Sequence, residues 1–176
     1  LGHRLVIAPD MNYIERAFNA VKYDEYSAAP ALDISIPTVH DAALAPAGGH
    51  VLSAIVQFAP YAPAGGWEAH RATFQQQVVD CIAAYAPGIC EQIVASELLT
   101  PADLERDYGM TGGHWHHGEL SLDQVMMMRP FPGATQYGTA VDGLYLCGAG
   151  AHPGGGVMGL AGRNAAREII KRGAAA

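Results

Sequence analysis

Charge is scarce in this chain, and positive charge scarcest: 10 lysines and arginines stand against 17 acidic residues, for a net charge of −7. That balance excludes the basic face on which nucleic-acid binding rests, so no nucleic-acid partner is expected. Cysteine is nearly missing as well. Cys81, Cys90 and Cys147 are odd in number and lack any CxxC spacing, which points to free thiols in a reducing compartment, the cytoplasm or an organelle matrix. No apolar run approaches the roughly 20 residues of a membrane span, so no transmembrane segment is expected. The chain opens on Leu1 with no leader-like stretch, and that opening reads as a processed or fragment end. What remains is half hydrophobic, enough for the core of one domain or two small lobes and too apolar for wholesale disorder.

Periodicity organises the first half. Ile14, Ala17, Phe18 and Val21 predict a helix over 11–26, capped by Asp10 or Asn12. Leu32, Ile34 and Ile36 alternate with Asp33 and Ser35, the pattern of a half-buried strand that Pro37 closes. After the turn at Pro46-Ala-Gly-Gly-His50, residues 51–58 predict a second strand able to pair with the first. Phe74, Val78, Val79 and Ile82 form one stripe of a helix over 67–85, stopped by Ala86-Pro87-Gly88. A third strand is expected over 92–98. Thr100-Pro-Ala-Asp103 reads as a helix start with a cap, a proline and an early acid. Residues 120–129 fit a buried helix or a buried strand, with Met126-Met-Met128 read as core. Together these elements predict an α+β fold on a mixed or antiparallel sheet, closed by a strand, a glycine loop and a terminal helix.

That closure is the densest signal. Leu144 to Cys147 predicts a strand, Met158 to Arg172 a helix, and between them lie Gly148, Gly150, Gly154, Gly155, Gly156 and Gly159. Glycine near a helix costs on the order of 1 kcal/mol against alanine, so this density suggests backbone in close approach to a ligand. The run is not a complete dinucleotide fingerprint, because Pro153 takes the third glycine position and no second strand follows. Nor is it a P-loop, since no Gly-Lys-Ser/Thr follows.

The run Gly143-Leu-Tyr-Leu-Cys-Gly-Ala-Gly-Ala-His-Pro-Gly-Gly-Gly-Val-Met-Gly-Leu-Ala-Gly-Arg-Asn-Ala-Ala166 resembles the C-terminal flavin motif of the phytoene desaturase (carotenoid-type) FAD-dependent oxidoreductases. Ile34-Ser-Ile-Pro37, Ala45-Pro-Ala-Gly-Gly-His50, Tyr85-Ala-Pro-Gly88, Leu99-Thr-Pro-Ala-Asp-Leu-Glu105 and Ser121-Leu-Asp-Gln124 resemble the pyridine nucleotide-disulphide oxidoreductase domain subgroup of that family. The resemblance implies the C-terminal third of a longer enzyme, whose N-terminal GxGxxG region would be the partner that holds the ADP half of FAD. It implies a substrate-binding lobe over 1–138 and the C-terminal part of the FAD-binding domain over 139–176. It implies FAD contacts from Gly148, Ala149, Gly150, His152, Pro153, Gly154, Gly155, Gly156, Val157, Met158 and Gly159. Its chemistry would be hydride removal from an apolar or alicyclic substrate carbon to flavin N5, with a quinone or oxygen as final acceptor and little activity from this piece alone. One position departs from the pattern: Ala149 stands where many related flavoproteins carry an acid for the ribityl chain.

His114-Trp-His-His-Gly-Glu119 is the other concentration of chemistry. The spacing matches no standard zinc pattern, so no metal site is assigned, although a metal-dependent hydrolase using His114, His116, His117 and Glu119 is an alternative. His117, with the histidine loop facing the flavin or substrate cavity, and His152, inside the flavin motif, are the candidate catalytic or orienting residues. A further alternative is a stand-alone binding module that dimerises through exposed apolar faces.

Overall fold

The computed structural model describes residues 4–118 and 121–173. It divides into two compact units, Leu1–Asp103 and Leu104–Ala176. The fold is mixed α and β, with a three-stranded antiparallel sheet and four α-helices among the described residues.

In the first unit, β1 (Arg4–Ile7), β2 (Ala31–Ser35) and β3 (Ser53–Gln57) lie in that order across the sheet. The expected pairing of the second and third strands is present, with Leu32 opposite Val56 and Ile34 opposite Ala54. β1 is an addition: Leu5-Val6-Ile7 is too short to show alternation, and its place follows from Ile7 pairing with Leu32. Because side chains alternate along each strand, Leu5, Ile7, Leu32, Ile34, Ala54 and Val56 share one face. They pack with Val78, Cys81 and Ile82 of α2 (Trp67–Ala83). Burying each such aliphatic side chain contributes about 1.5–3 kcal/mol, so this face is where the unit is held.

α1 (Met11–Val21) starts as expected, with the Asp10 carboxylate accepting from the Tyr13 N–H at 2.7 Å. It ends short of Tyr26. Asp24 turns into the left-handed region at φ 57°, and Tyr26 leaves the helical path for an aromatic cluster, its ring centroid 4.5 Å from that of Phe74. The expected strand over 92–98 is a correction. No strand forms there among the described residues, and Val94 is fully exposed. Side chains of α2 hold this segment instead of a backbone ladder: Arg71 donates to the Leu98 carbonyl at 2.7 Å, and Gln75 to the Ser96 hydroxyl at 2.7 Å.

On the opposite face Arg4 of the edge strand β1 and Asp33 of the central strand β2 are joined through Nε and Oδ1 at 2.7 Å and a second bond between Nη2 and Oδ2. The side-chain hydrogen bond from Arg4 holds the Asp33 carboxyl below the usual carboxylate range. A depressed folded-state pKa means the contribution is present above the unfolded pKa and lost as pH falls through the folded value. An NMR titration should therefore place the Asp33 midpoint below that of an unpaired aspartate, and Arg4→Ala should return it upward. An unmoved midpoint in Arg4→Ala would count against the pairing.

The second unit is mostly turns. α3 (Pro101–Tyr108) leads into it and α4 (Leu160–Gly173) closes it. Tyr137, Ala151, Ala161 and Ala165 form its core with Leu146 against them. Small residues let α4 approach the loops closely, and Asn164 donates to the Tyr137 hydroxyl at 2.8 Å. The expected strand over Leu144–Cys147 reduces to a single antiparallel bridge between Gly138 and Tyr145. The methionine trio is a second correction: Met126–Met128 is a 3-10 turn with Met126 and Met127 about 70% exposed, neither core helix nor core strand. Leu120 and Ala174 to Ala176, for which sequence expectations were also given, lie outside the described residues. No helix among the described residues is long and apolar enough to cross a membrane.

Candidate functional site

Two tight turns begin the glycine loop, with the Ala151 N–H donating to the Gly148 carbonyl at 3.0 Å and the Gly154 N–H to Ala151 at 2.7 Å. These turns anchor Ala151 in the core and leave the rest of the loop at the surface. Gly154 and Gly156 hold φ values of +105° and +112°, which side chains rarely adopt. Val157, at φ +61°, is a β-branched residue in the same region with its side chain wholly exposed. A Cβ on Gly148 would meet nothing within 4 Å, so the backbone there faces open space.

The loop delivers the chain to the start of α4, where the Arg163 N–H donates to the Gly159 carbonyl at 2.9 Å. The first turn of α4 contains no acidic residue, so its unbonded N–H groups retain their partial positive charge, about half an elementary charge for the helix end. Within the glycine loop, the Nδ1 of His152 is buried with no hydrogen-bond partner among the described residues.

The histidine loop packs against this glycine loop within the same unit. A Cβ on Gly150 would stand 3.9 Å from the Cβ of His117, and one on Gly155 would stand 3.9 Å from Nδ1 of His116. The His116 N–H donates to Nδ1 of His114 at 3.2 Å, which leaves Nε2 of a neutral His114 to carry the proton. His117 itself adopts φ +52°. It lines a cavity of about 330 Å³ with Thr111, His114, Gly118 and Gln124. Among the described residues no three histidine, cysteine or acidic side chains gather as metal ligands. Glu119, the carboxylate of the hydrolase alternative, lies outside those residues.

Arg129 joins the two loops, and its role was not predicted from the sequence. Its side chain is almost fully buried. Nε donates to the Gln124 carbonyl at 2.9 Å, and Nη1 donates to the carbonyls of His116 at 3.1 Å and Ala149 at 3.0 Å. One signal was available: between Arg106 and Arg163 the sequence holds no other lysine or arginine. The Ala149 that breaks the acidic pattern thus contributes its backbone carbonyl to this tie.

No family model matches the chain. The chain is 47% identical over 165 residues, 92% of its length, to pyridine nucleotide-disulfide oxidoreductase domain-containing protein 2 of Rattus norvegicus, 28% of which is covered. It is 30% identical over 134 residues to the phytoene desaturase (neurosporene-forming) of Cereibacter sphaeroides, covering 75% of this chain and 25% of that protein. To the phytoene desaturase (neurosporene-forming) of Rhodobacter capsulatus it is 28% identical over 164 residues, 91% of this chain and 30% of the relative. The chain therefore spans between a quarter and a third of the length of these curated relatives, and it matches their C-terminal part.

Proposed function

We propose that this chain, which belongs with the phytoene dehydrogenase-like oxidoreductases as the counterpart of their C-terminal part, completes the flavin site of an FAD-dependent dehydrogenase. The observation that carries this reading is the open glycine loop leading to a helix end without an acid. The partner in the reading is an N-terminal FAD-binding region of the same polypeptide, with residues 1–138 as the substrate lobe and 139–176 as the closing part of the FAD-binding domain. The exposed backbone at Gly148, the glycines up to Gly159 and the unpartnered Nδ1 of His152 suit a flat, polar, partly anionic group.

FAD, when bound, supplies a hydride acceptor for an apolar or alicyclic substrate carbon. This chain contributes position and charge. Backbone at Gly148 leaves room for the close approach of a flat ring, and the first turn of α4 would supply positive potential toward negative charge growing on reduction. His152 offers its buried Nδ1 to hold or move a proton, and His117 stands at the wall of the adjoining cavity.

The test uses the full-length polypeptide, which should retain flavin absorbance through gel filtration. Gly148→Val places a side chain in open space at a position without a left-handed φ, so it should leave thermal melting unchanged. It should weaken flavin retention at least about tenfold, equivalent to about 1.4 kcal/mol. Unchanged retention in this variant, or a full-length polypeptide that retains no flavin, would overturn the reading.

A further inference from the structure

α4 has two apolar faces, and the core of the second unit uses one of them, burying Ala161 and Ala165. The other runs along Gly162, Ala166, Ile169, Ile170 and Gly173, whose spacing puts them on one side of a helix. Ile169 is 45% and Ile170 69% exposed. Arg163, Arg167 and Lys171, four residues apart and all exposed, form a cationic stripe along its flank. We propose that this face docks a segment of the same polypeptide that precedes Leu1, a packed element with an apolar centre and a carboxylate toward the cationic stripe. The proposal rests on the reading above, in which an N-terminal FAD-binding region is the partner, and adds the surface that holds it.

Gly162 is the first support. It lies within the helix, where glycine costs stability against alanine. A Cβ there would meet only the Cys147 carbonyl, at an ordinary 3.8 Å, so nothing among the described residues calls for glycine. A second backbone passing close to the helix would. Charge is the second support. Glu168, the one acid of α4, is taken by Arg172 at 2.8 Å, and among the described residues Arg163, Arg167 and Lys171 form no ion pair. Length is the third: the chain matches the C-terminal part of a relative of which it covers 28%, so most of that relative lies outside it. Two other occupants fit less well. A second copy laid antiparallel on this face would set the two cationic stripes along the same side, with Glu168 already paired. An anionic membrane would suit the charges, but two isoleucines beside glycine and alanine offer little apolar area to insert.

The experiment combines hydroxyl-radical footprinting with zero-length carbodiimide cross-linking of the full-length polypeptide, both read by mass spectrometry. Ile169 and Ile170 should be labelled several-fold less in the native polypeptide than after unfolding in urea. Lys171, or the new amine in Arg167→Lys, should couple to a carboxylate that precedes Leu1 in the same molecule, as a mixture of light and heavy isotope-labelled protein will show. Gly162→Ala gives a test of sign. With the face in solvent it removes the cost of a helical glycine and should raise the melting temperature; against a docked segment it should lower it by several degrees. Unprotected isoleucines, coupling only between copies, protection that appears only on adding phosphatidylserine vesicles, or a raised melting temperature in Gly162→Ala would each overturn the proposal. Failure of the flavin reading gives a different result: a polypeptide without flavin that still protects Ile169 and Ile170 and yields the intramolecular coupling.

Discussion

Replacing Asp103 with alanine is expected to lower the stability of the first unit by about 3 kcal/mol, toward the lower end of what breaking a buried ion pair costs. Asp103 is only 3% exposed. Its Oδ2 accepts from the Thr100 N–H at 2.8 Å, the Thr100 hydroxyl at 2.7 Å and Arg71 Nη1 at 2.7 Å, and Oδ1 accepts from Arg71 Nη2 at 3.1 Å. Alanine removes all four bonds at once and takes the carboxylate from a guanidinium that also holds Leu98. Arg71 keeps about a third of its side chain in solvent, so it can rehydrate, and this places the cost low in the range. Asp103→Asn should lose less, because an amide oxygen still accepts from the cap. Urea unfolding with an unchanged slope measures both variants. A loss below about 1 kcal/mol for alanine would put the pair with ordinary surface salt bridges and contradict the assignment. Hydrogen exchange supplies a second readout, since loosening Arg71 should release the 92–98 segment that it tethers.

Half of that arrangement is legible in the sequence and half is not. Thr100-Pro-Ala-Asp103 is a local cap, and the reciprocal bond from the Asp103 N–H to the Thr100 hydroxyl at 3.2 Å confirms it. Arg71 comes from the middle of α2, and no spacing rule links it to a cap so far along the chain. The same division runs through the fold. α1, α2, β2 and β3 announce themselves because their signals are periodic and local. The segment 92–98 has strand-like composition, but a strand also needs a neighbour with free backbone groups, and its contacts are with side chains of α2. Met126 to Met128 fails as a core prediction for a related reason: hydrophobicity identifies residues that gain from burial, but it does not say what is available to cover them. At the site, the histidine and glycine loops were each visible as compositional anomalies. Their mutual packing was not, because it depends on side chains missing at Gly150 and Gly155 and on one arginine among loops without periodicity.

That arginine carries the second large effect. Arg129→Ala should destabilise the second unit by at least about 3 kcal/mol, because three backbone carbonyls lose a charged donor and such bonds contribute about 1.5–3 kcal/mol each. The costs are not additive, since all three bonds depend on one guanidinium. Arg129→Lys should recover little, as a single ammonium lacks the planar fork that reaches Gln124, His116 and Ala149 together. Arg129→Met separates charge from packing: it keeps most of the apolar stem, so a loss close to that of alanine would assign the effect to the hydrogen bonds. Gly118→Ala approaches the same contact from the other side. Its φ of +143° and the 2.9 Å separation of a Cβ from Nη2 leave no room unless the guanidinium moves, and three carbonyls oppose that movement. If the glycine loop forms part of a flavin site, displacement of Ala149 should reduce flavin retention in both Arg129→Ala and Gly118→Ala. Thr111→Val leaves the Arg129 tie intact and should retain flavin normally. Wild-type stability and flavin retention in Arg129→Ala would mean that the two loops hold their places without it, and the candidate site would lose its organising contact.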